Sequence, residues 1–207
     1  MNCRVITLTG PTCAGKTTLE AALRKLPGFG SAVSHTTRSM RQGEIDGLNY
    51  HFVTDRQYST LKDNGQFIET VEFGNARYAL SADALQVAET DNDFVVIVAE
   101  PKGANQIHFF CEKNNIDSTA IWVDCIPAEQ SARFVARMET DIALGASRES
   151  YASRLSAMLT DEVEWRWNAS KYSQLTSGLL SYDYHLKLDS TWQKPDELSR
   201  TVAKFLE

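Results

Sequence analysis

No stretch of this 207-residue chain approaches the ~18 consecutive apolar residues needed to cross a bilayer. Its first residues, Met-Asn-Cys-Arg-Val-Ile-Thr-Leu-Thr-Gly, also lack the apolar core and cleavage pattern of a secretory leader. The expected location is therefore cytoplasmic, with no membrane partner. Cysteine is scarce: Cys3, Cys13, Cys111 and Cys125 are widely spaced with no Cys-x-x-Cys pair, which argues against a zinc site or a disulfide framework. Positive charge is in deficit. The 21 Lys+Arg against 27 Asp+Glu give a net charge of -6, so bulk charge does not hold the chain on nucleic acid and any anion site is local. No repeat, low-complexity tract or linker interrupts the sequence, and aromatic and branched residues recur to its end. One folded domain with mobile lobes is expected, as a monomer or homodimer.

What is present is an alternation of strand-like and helix-like segments. Val5 to Thr9 is largely β-branched and enters Gly10, and the next stretch places Leu19, Leu23 and Leu26 at helical spacing before Pro27-Gly28 stops it. Residues 94–99 and 119–123 are continuous apolar runs of the kind found in buried parallel strands, each followed by helix-compatible sequence. Residues 184–188 read as a further strand and 195–206 as a closing helix with proline in its first turn. The expected fold class is α/β: a parallel sheet flanked by helices. Gly43, Gly47, Gly65 and Gly74 punctuate an inserted mixed α/β lobe, and Arg133, Arg137, Arg148 and Arg154 cluster around a Gly145-Ala146-Ser147 break in a helical lid. The expected division of the single domain is a core of residues 1–33, 82–126 and 155–207, a lobe of 34–81 and a lid of 127–154.

Gly10-Pro11-Thr12-Cys13-Ala14-Gly15-Lys16-Thr17 fits G-x-x-x-x-G-K-[ST], placed between a strand and a helix start. Glycines at both ends of such a loop let successive N–H groups turn inward, and the helix adds its positive end, giving a concave site for a nucleoside triphosphate. Lys16 is expected to reach the β- and γ-phosphates and the Thr17 hydroxyl to ligate Mg2+, with the rest of the loop and Thr18 completing the ATP site. Cys13 reads more simply as a small filler than as a redox-sensitive thiol.

A phosphate loop does not say what receives the phosphoryl group. In the inserted lobe, Ser34-His35-Thr36-Thr37-Arg38-Ser39-Met40-Arg41-Gln42-Gly43-Glu44 precedes Asp46-Gly47-Leu48-Asn49-Tyr50-His51-Phe52, then Phe67-Ile68-Glu69 and Gly74-Asn75-Ala76-Arg77-Tyr78. Taken singly, the arginines read equally well as decoration of a solvated loop, Glu69 as an exposed neighbour of Ile68, and the tyrosines as core aromatics. As an ordered set behind the phosphate loop they resemble the guanylate kinase family, with its S-x-T-T-R-x-x-R-x-G-E-x-x-G-x-x-Y-x-F, F-[IL]-E and G-N-x-Y-[YG] motifs, over nearly the whole chain.

The resemblance implies ATP-dependent phosphorylation of GMP or dGMP, with Mg2+ carried by ATP. It implies that Arg38, Arg41, Tyr50 and Tyr78 hold the acceptor phosphate and that Ser34 and Glu69 meet the base. It also implies that Arg133, Arg137 and Arg154 come down over the triphosphate; Lys16, Arg38, Arg137 and Arg154 then form the catalytic set. Histidines are left out, because an ionised phosphate acceptor needs little proton chemistry. Four departures bear on specificity. Leu80 stands where the family has a hydroxyl, leaving Ser81 to serve guanine O6 or a base other than plain guanine. Val98 replaces an acid near the metal, Glu100 offers a carboxylate one methylene longer than the family's Asp, and Leu188-Asp189 replaces Asn-Asp. The rival expectations are a kinase for another or modified monophosphate and a non-catalytic phosphopeptide-binding domain.

Overall fold

The computed structural model describes residues 3–41, 43–73, 76–145, 151–152, 155–156, 158 and 184–207. In chain order its elements are β1 (Arg4–Thr9), α1 (Lys16–Leu23), β2 (Phe29–Ser31), β3 (His35–Thr36), β4 (His51–Phe52), α2 (Asp55–Asp63), β5 (Phe67–Phe73), β6 (Ala76–Ser81), α3 (Ala82–Asp91), β7 (Phe94–Val98), α4 (Pro101–Lys113), β8 (Asp117–Asp124), α5 (Pro127–Ala143), β9 (Leu186–Asp189) and α6 (Pro195–Leu206). Both long apolar runs are central strands, and the closing helix starts on its proline.

The main sheet has the order β2-β7-β1-β8-β9, and every pair in it is parallel. Side chains alternate across it, so β1 feeds two cores. Ile6 and Leu8 join Leu19, Leu23 and Val202 of α1 and α6 on one face, while Val5 joins Leu85, Val95 and Ile107 on the other. Burial of that kind on both faces is what makes parallel strands read as unbroken apolar runs. The carboxyl end of β1 lies between β7 and β8, the crevice where parallel α/β sheets bind ligands. Among the described residues no helix is long and apolar enough to cross a membrane.

A second, mixed sheet has the order β4-β3-β6-β5. Its register puts Thr36, Phe52 and Tyr78 on one face, with Leu80 opposite Glu69 on the same side of β6. The other face carries His35, His51, Ala79 and Ser81 and is covered in part by α2, whose Tyr58 hydroxyl donates to the Tyr78 carbonyl at 3.0 Å. A reciprocal Thr54–Gln57 capping box starts α2.

Candidate active site

The turn from β1 to α1 is bent by three residues with positive φ: Gly10 at 148°, Cys13 at 63° and Gly15 at 93°. Each loop carbonyl from Gly10 to Ala14 accepts a side-chain hydrogen bond. The Lys16 ammonium donates to Gly10 and Pro11 at 2.6 and 2.8 Å, Gln130 Nε2 to Thr12 at 2.9 Å, an Arg133 nitrogen to Cys13 at 3.5 Å, and the Ser190 hydroxyl to Ala14 at 2.6 Å. With its carbonyls occupied, the loop leaves its remaining amides and the start of α1 for an anion. Thr17 and Thr18 are exposed in the first turn of α1.

Arg133, expected at the ATP, is bonded here to neighbouring groups of the protein. Its guanidinium bonds Glu129 at 2.9 Å, the Ser190 hydroxyl at 2.9 Å and the Ser190 carbonyl at 2.7 Å, which makes it a brace between α5, the loop after β9 and the phosphate loop. Gln130, fully buried one turn earlier, ties α5 to the phosphate loop through the Thr12 carbonyl. Neither Gln130 nor Ser190 belongs to a motif, and only their contacts reveal them. Arg137 follows on the same face of α5 and points its charge at the second sheet: burial lowers the Arg41 pKa, and the charges of Arg38 and then Arg137 lower it further.

Those three arginines lie close enough for their charges to act on one another. Arg38 lies 5.4 Å from the Tyr50 ring centre and 5.6 Å from that of Phe52, and the Tyr50 and Tyr78 rings stand 5.9 Å apart. Glu44 orders the group by accepting both terminal nitrogens of Arg38, at 2.8 and 3.0 Å, and the Arg41 backbone N–H at 2.7 Å. Like charges gathered at a half-buried place favour an anion, and the tyrosine hydroxyls add uncharged donors.

Glu69 is 8% exposed, and its carboxylate accepts the Leu80 N–H at 3.2 Å. Burial pushes its pKa up to about 7; the Leu80 N–H opposes the rise and the Glu100 carboxylate adds to it. Leu80 itself is fully buried in the core, so no hydroxyl stands at that position. Ser81 corrects the expectation set for it. Its hydroxyl caps α3 by accepting the Ala84 N–H at 3.1 Å, and its side chain lines a separate cavity of about 430 Å³ with His35 and His51 on the opposite face of the sheet. Strand alternation makes the reason plain: if Leu80 is on the Glu69 side, Ser81 is not. Ser34 sits just before β3 and its carbonyl accepts the His51 N–H at 2.9 Å. Arg148 and Arg154 lie outside the described residues, as do Gly74 and Asn75.

Among the described residues no three His, Cys, Asp or Glu side chains group to hold a metal. With Thr17 as one neutral oxygen and Val98 in place of an acid, this donor set fits Mg2+ that arrives on a triphosphate and keeps phosphate and water as most of its shell.

A parallel α/β core with a phosphate loop between its central strand and first helix, accompanied by a second sheet that groups arginines and tyrosines, defines a protein of the P-loop nucleotide-binding class. The family model for guanylate kinase matches residues 2–160, and the chain belongs to that family. A guanylate kinase of Alcanivorax borkumensis is 39% identical over 137 residues, covering 65% of this chain and 63% of that protein. One of Pseudomonas fluorescens is 38% identical over 102 residues, 48% of this chain and 49% of its own length. The chain thus spans about half to under two-thirds of these curated relatives. The crystal structure of guanylate kinase from Anaplasma phagocytophilum has the same fold, with a TM-score of 0.64 over 99% of this chain and 85% of that one, at 18% identity.

Proposed function

We propose that the protein transfers the γ-phosphoryl group of MgATP to GMP or dGMP, giving ADP and GDP or dGDP, in the cytoplasm. What supports this reading is the grouping of Arg38, Arg41 and Arg137 on one hand and, on the other, a phosphate loop whose carbonyls are hydrogen-bonded, which together suit two anions. In-line transfer between two bound phosphates needs positioning and charge neutralisation more than proton transfer. The loop amides and Lys16 hold the donor, Thr17 meets its Mg2+, and Arg38, Arg41, Tyr50 and Tyr78 hold the acceptor oxygens. Arg137 serves the transferring group, and Arg154 joins it from the remainder of the lid. The lobe of residues 34–81 carries the acceptor pocket, and the lid of 127–154 closes over the core, excluding water that would otherwise hydrolyse ATP. Arg133 holds the loop that holds the phosphates.

Glu69, with Glu100 beside it, offers carboxylate oxygen to the N1–H and N2 amino edge of guanine. Adenine has neither donor and leaves the buried acceptor unpaired, a penalty of ~1–3 kcal/mol. A coupled assay over the common ribo- and deoxymonophosphates tests the reading: guanine acceptors are preferred by about a hundredfold. Preference for another base contradicts the guanine assignment, and binding of a phosphopeptide without turnover contradicts the enzyme.

Arg41→Met removes a planar charged fork while keeping length. It raises the acceptor KM about tenfold or more and lowers kcat, with ATP KM little changed; unaltered kinetics reject the clamp. The titration of Glu69 makes a further prediction. The base edge needs the ionised form, so kcat/KM for GMP rises with pH through about 7, and Glu69→Gln removes that rise while leaving the contribution of the substrate phosphate. The stability effect has the opposite sign. Between the ordinary carboxylate range and about 7 the folded state keeps a proton the unfolded state has lost, so stability falls as pH rises through that window. Thermal denaturation at pH ~8 then finds Glu69→Gln more stable than the parent.

A further inference from the structure

Gly103 sits in the first turns of α4, buried, with nothing in its backbone that requires glycine: its φ lies outside the left-handed range that sets the loop glycines apart. A glycine inside a helix is less favourable than alanine by ~1 kcal/mol. The surroundings supply the reason for it. A Cβ built on Gly103 falls 2.6 Å from Glu69 Oε1 and 3.1 Å from both Cδ and Cγ of the same side chain. The Glu69 carboxyl group therefore rests on the bare backbone of α4, in the space a methyl group would fill.

The rest of that helix face supports the arrangement. Glu100 is the N-cap of α4, Gly103 follows three residues later, and Gln106 three after that. The Gln106 side-chain oxygen accepts the Thr70 N–H at 3.1 Å, fixing β5 against α4 one residue beyond Glu69. On the other side the Leu80 N–H donates to Glu69 Oε2. Glu69 is thus held between a backbone donor on β6 and a floor on α4.

We propose that Gly103 is a positioning residue for base recognition: by carrying no side chain it sets where the Glu69 carboxylate stands, and with it which purine edge the pocket accepts. The inference rests on the reading of Glu69 as the base acceptor. Its energetic logic is specific. What a methyl group at position 103 displaces is the far end of a flexible side chain, not backbone, so the fold stands while the carboxylate moves.

The experiment is calorimetric binding of GMP and of a non-hydrolysable ATP analogue to Gly103→Ala, with thermal denaturation and carbon NMR of the Glu69 carboxyl group. GMP affinity falls about tenfold to a hundredfold, ATP-analogue affinity is unchanged, Tm is held or raised, and the Glu69 resonance and its titration shift. In a Glu69→Ala background the same substitution leaves GMP affinity within about twofold, because the group it displaces is gone. Unchanged GMP affinity in Gly103→Ala, or an equal loss in both backgrounds, overturns the proposal, as does an unmoved Glu69 resonance. If Gly103→Ala does not fold, recovery of the fold in the double variant supports the proposal and continued unfolding overturns it. A parent protein that binds no GMP refutes the guanine reading, while the NMR signal still decides whether residue 103 places Glu69.

Discussion

Lys16→Ala lowers turnover by about three orders of magnitude or more while GMP affinity stays within about threefold of the parent. Two losses combine at this residue. The ammonium supplies the one positive charge inside the phosphate loop, where charge spread over the transferring group must be neutralised. It also pins the Gly10 and Pro11 carbonyls at 2.6 and 2.8 Å, so its removal frees the first turn of the loop. The residues proposed for the acceptor pocket lie on other elements, β3, β4 and β6 with the loop between β3 and β4. Steady-state kinetics with calorimetry separates the effects; near-normal turnover would remove the cradle from the mechanism.

Gly10→Ala eliminates ATP binding and destabilises the fold by about 3 kcal/mol or more. A Cβ at this position falls 1.9 Å from the Val123 carbonyl oxygen and 3.0 Å from its carbon, both backbone atoms of central strand β8. No rotamer change relieves that clash, and the φ of 148° is itself one an alanine avoids. Either the first turn of the loop or β8 must move, and both border the donor site. Gly103→Ala is the counterpart: there the obstructing group is a side chain, so function changes and the fold persists. Denaturant unfolding of both variants checks the contrast, and a Gly10→Ala protein of parental stability would contradict the geometry.

Much of the frame was legible because parallel strands buried on both faces have little choice of sequence. The runs ending at Thr9, Ala99 and Val123 became three adjacent strands. The phosphate loop was legible for a related reason: positive φ at two glycines and an ammonium at fixed spacing leave a local signature. β2 was not, since three residues give no period to read; it exists because its backbone pairs with β7. Gln130 and Ser190 escaped for the same kind of reason. They lie far from the loop in sequence and act through carbonyls, which any donor can satisfy, so neither position has a residue signature. Ser81 shows the limit of carrying a role one residue along a strand: proximity in sequence placed it beside the base, whereas the period of two turned it to the opposite face and gave it to the helix that follows. The acidic group of Glu44 was visible in the motif, but its work, fixing Arg38 and the Arg41 backbone together, required coordinates.

The central claim is that two anion pockets face each other so that one phosphoryl group passes between them. A crystal structure with GMP and a non-hydrolysable MgATP analogue bound together tests it most directly. The account predicts the amides of residues 12–17 around the donor phosphates, the guanidinium groups of Arg38 and Arg41 and the hydroxyls of Tyr50 and Tyr78 on the acceptor phosphate, and the Glu69 carboxylate on the guanine edge. A filled site with Arg38 and Arg41 turned to solvent, or with the two nucleotides bound too far apart for in-line transfer, would contradict it.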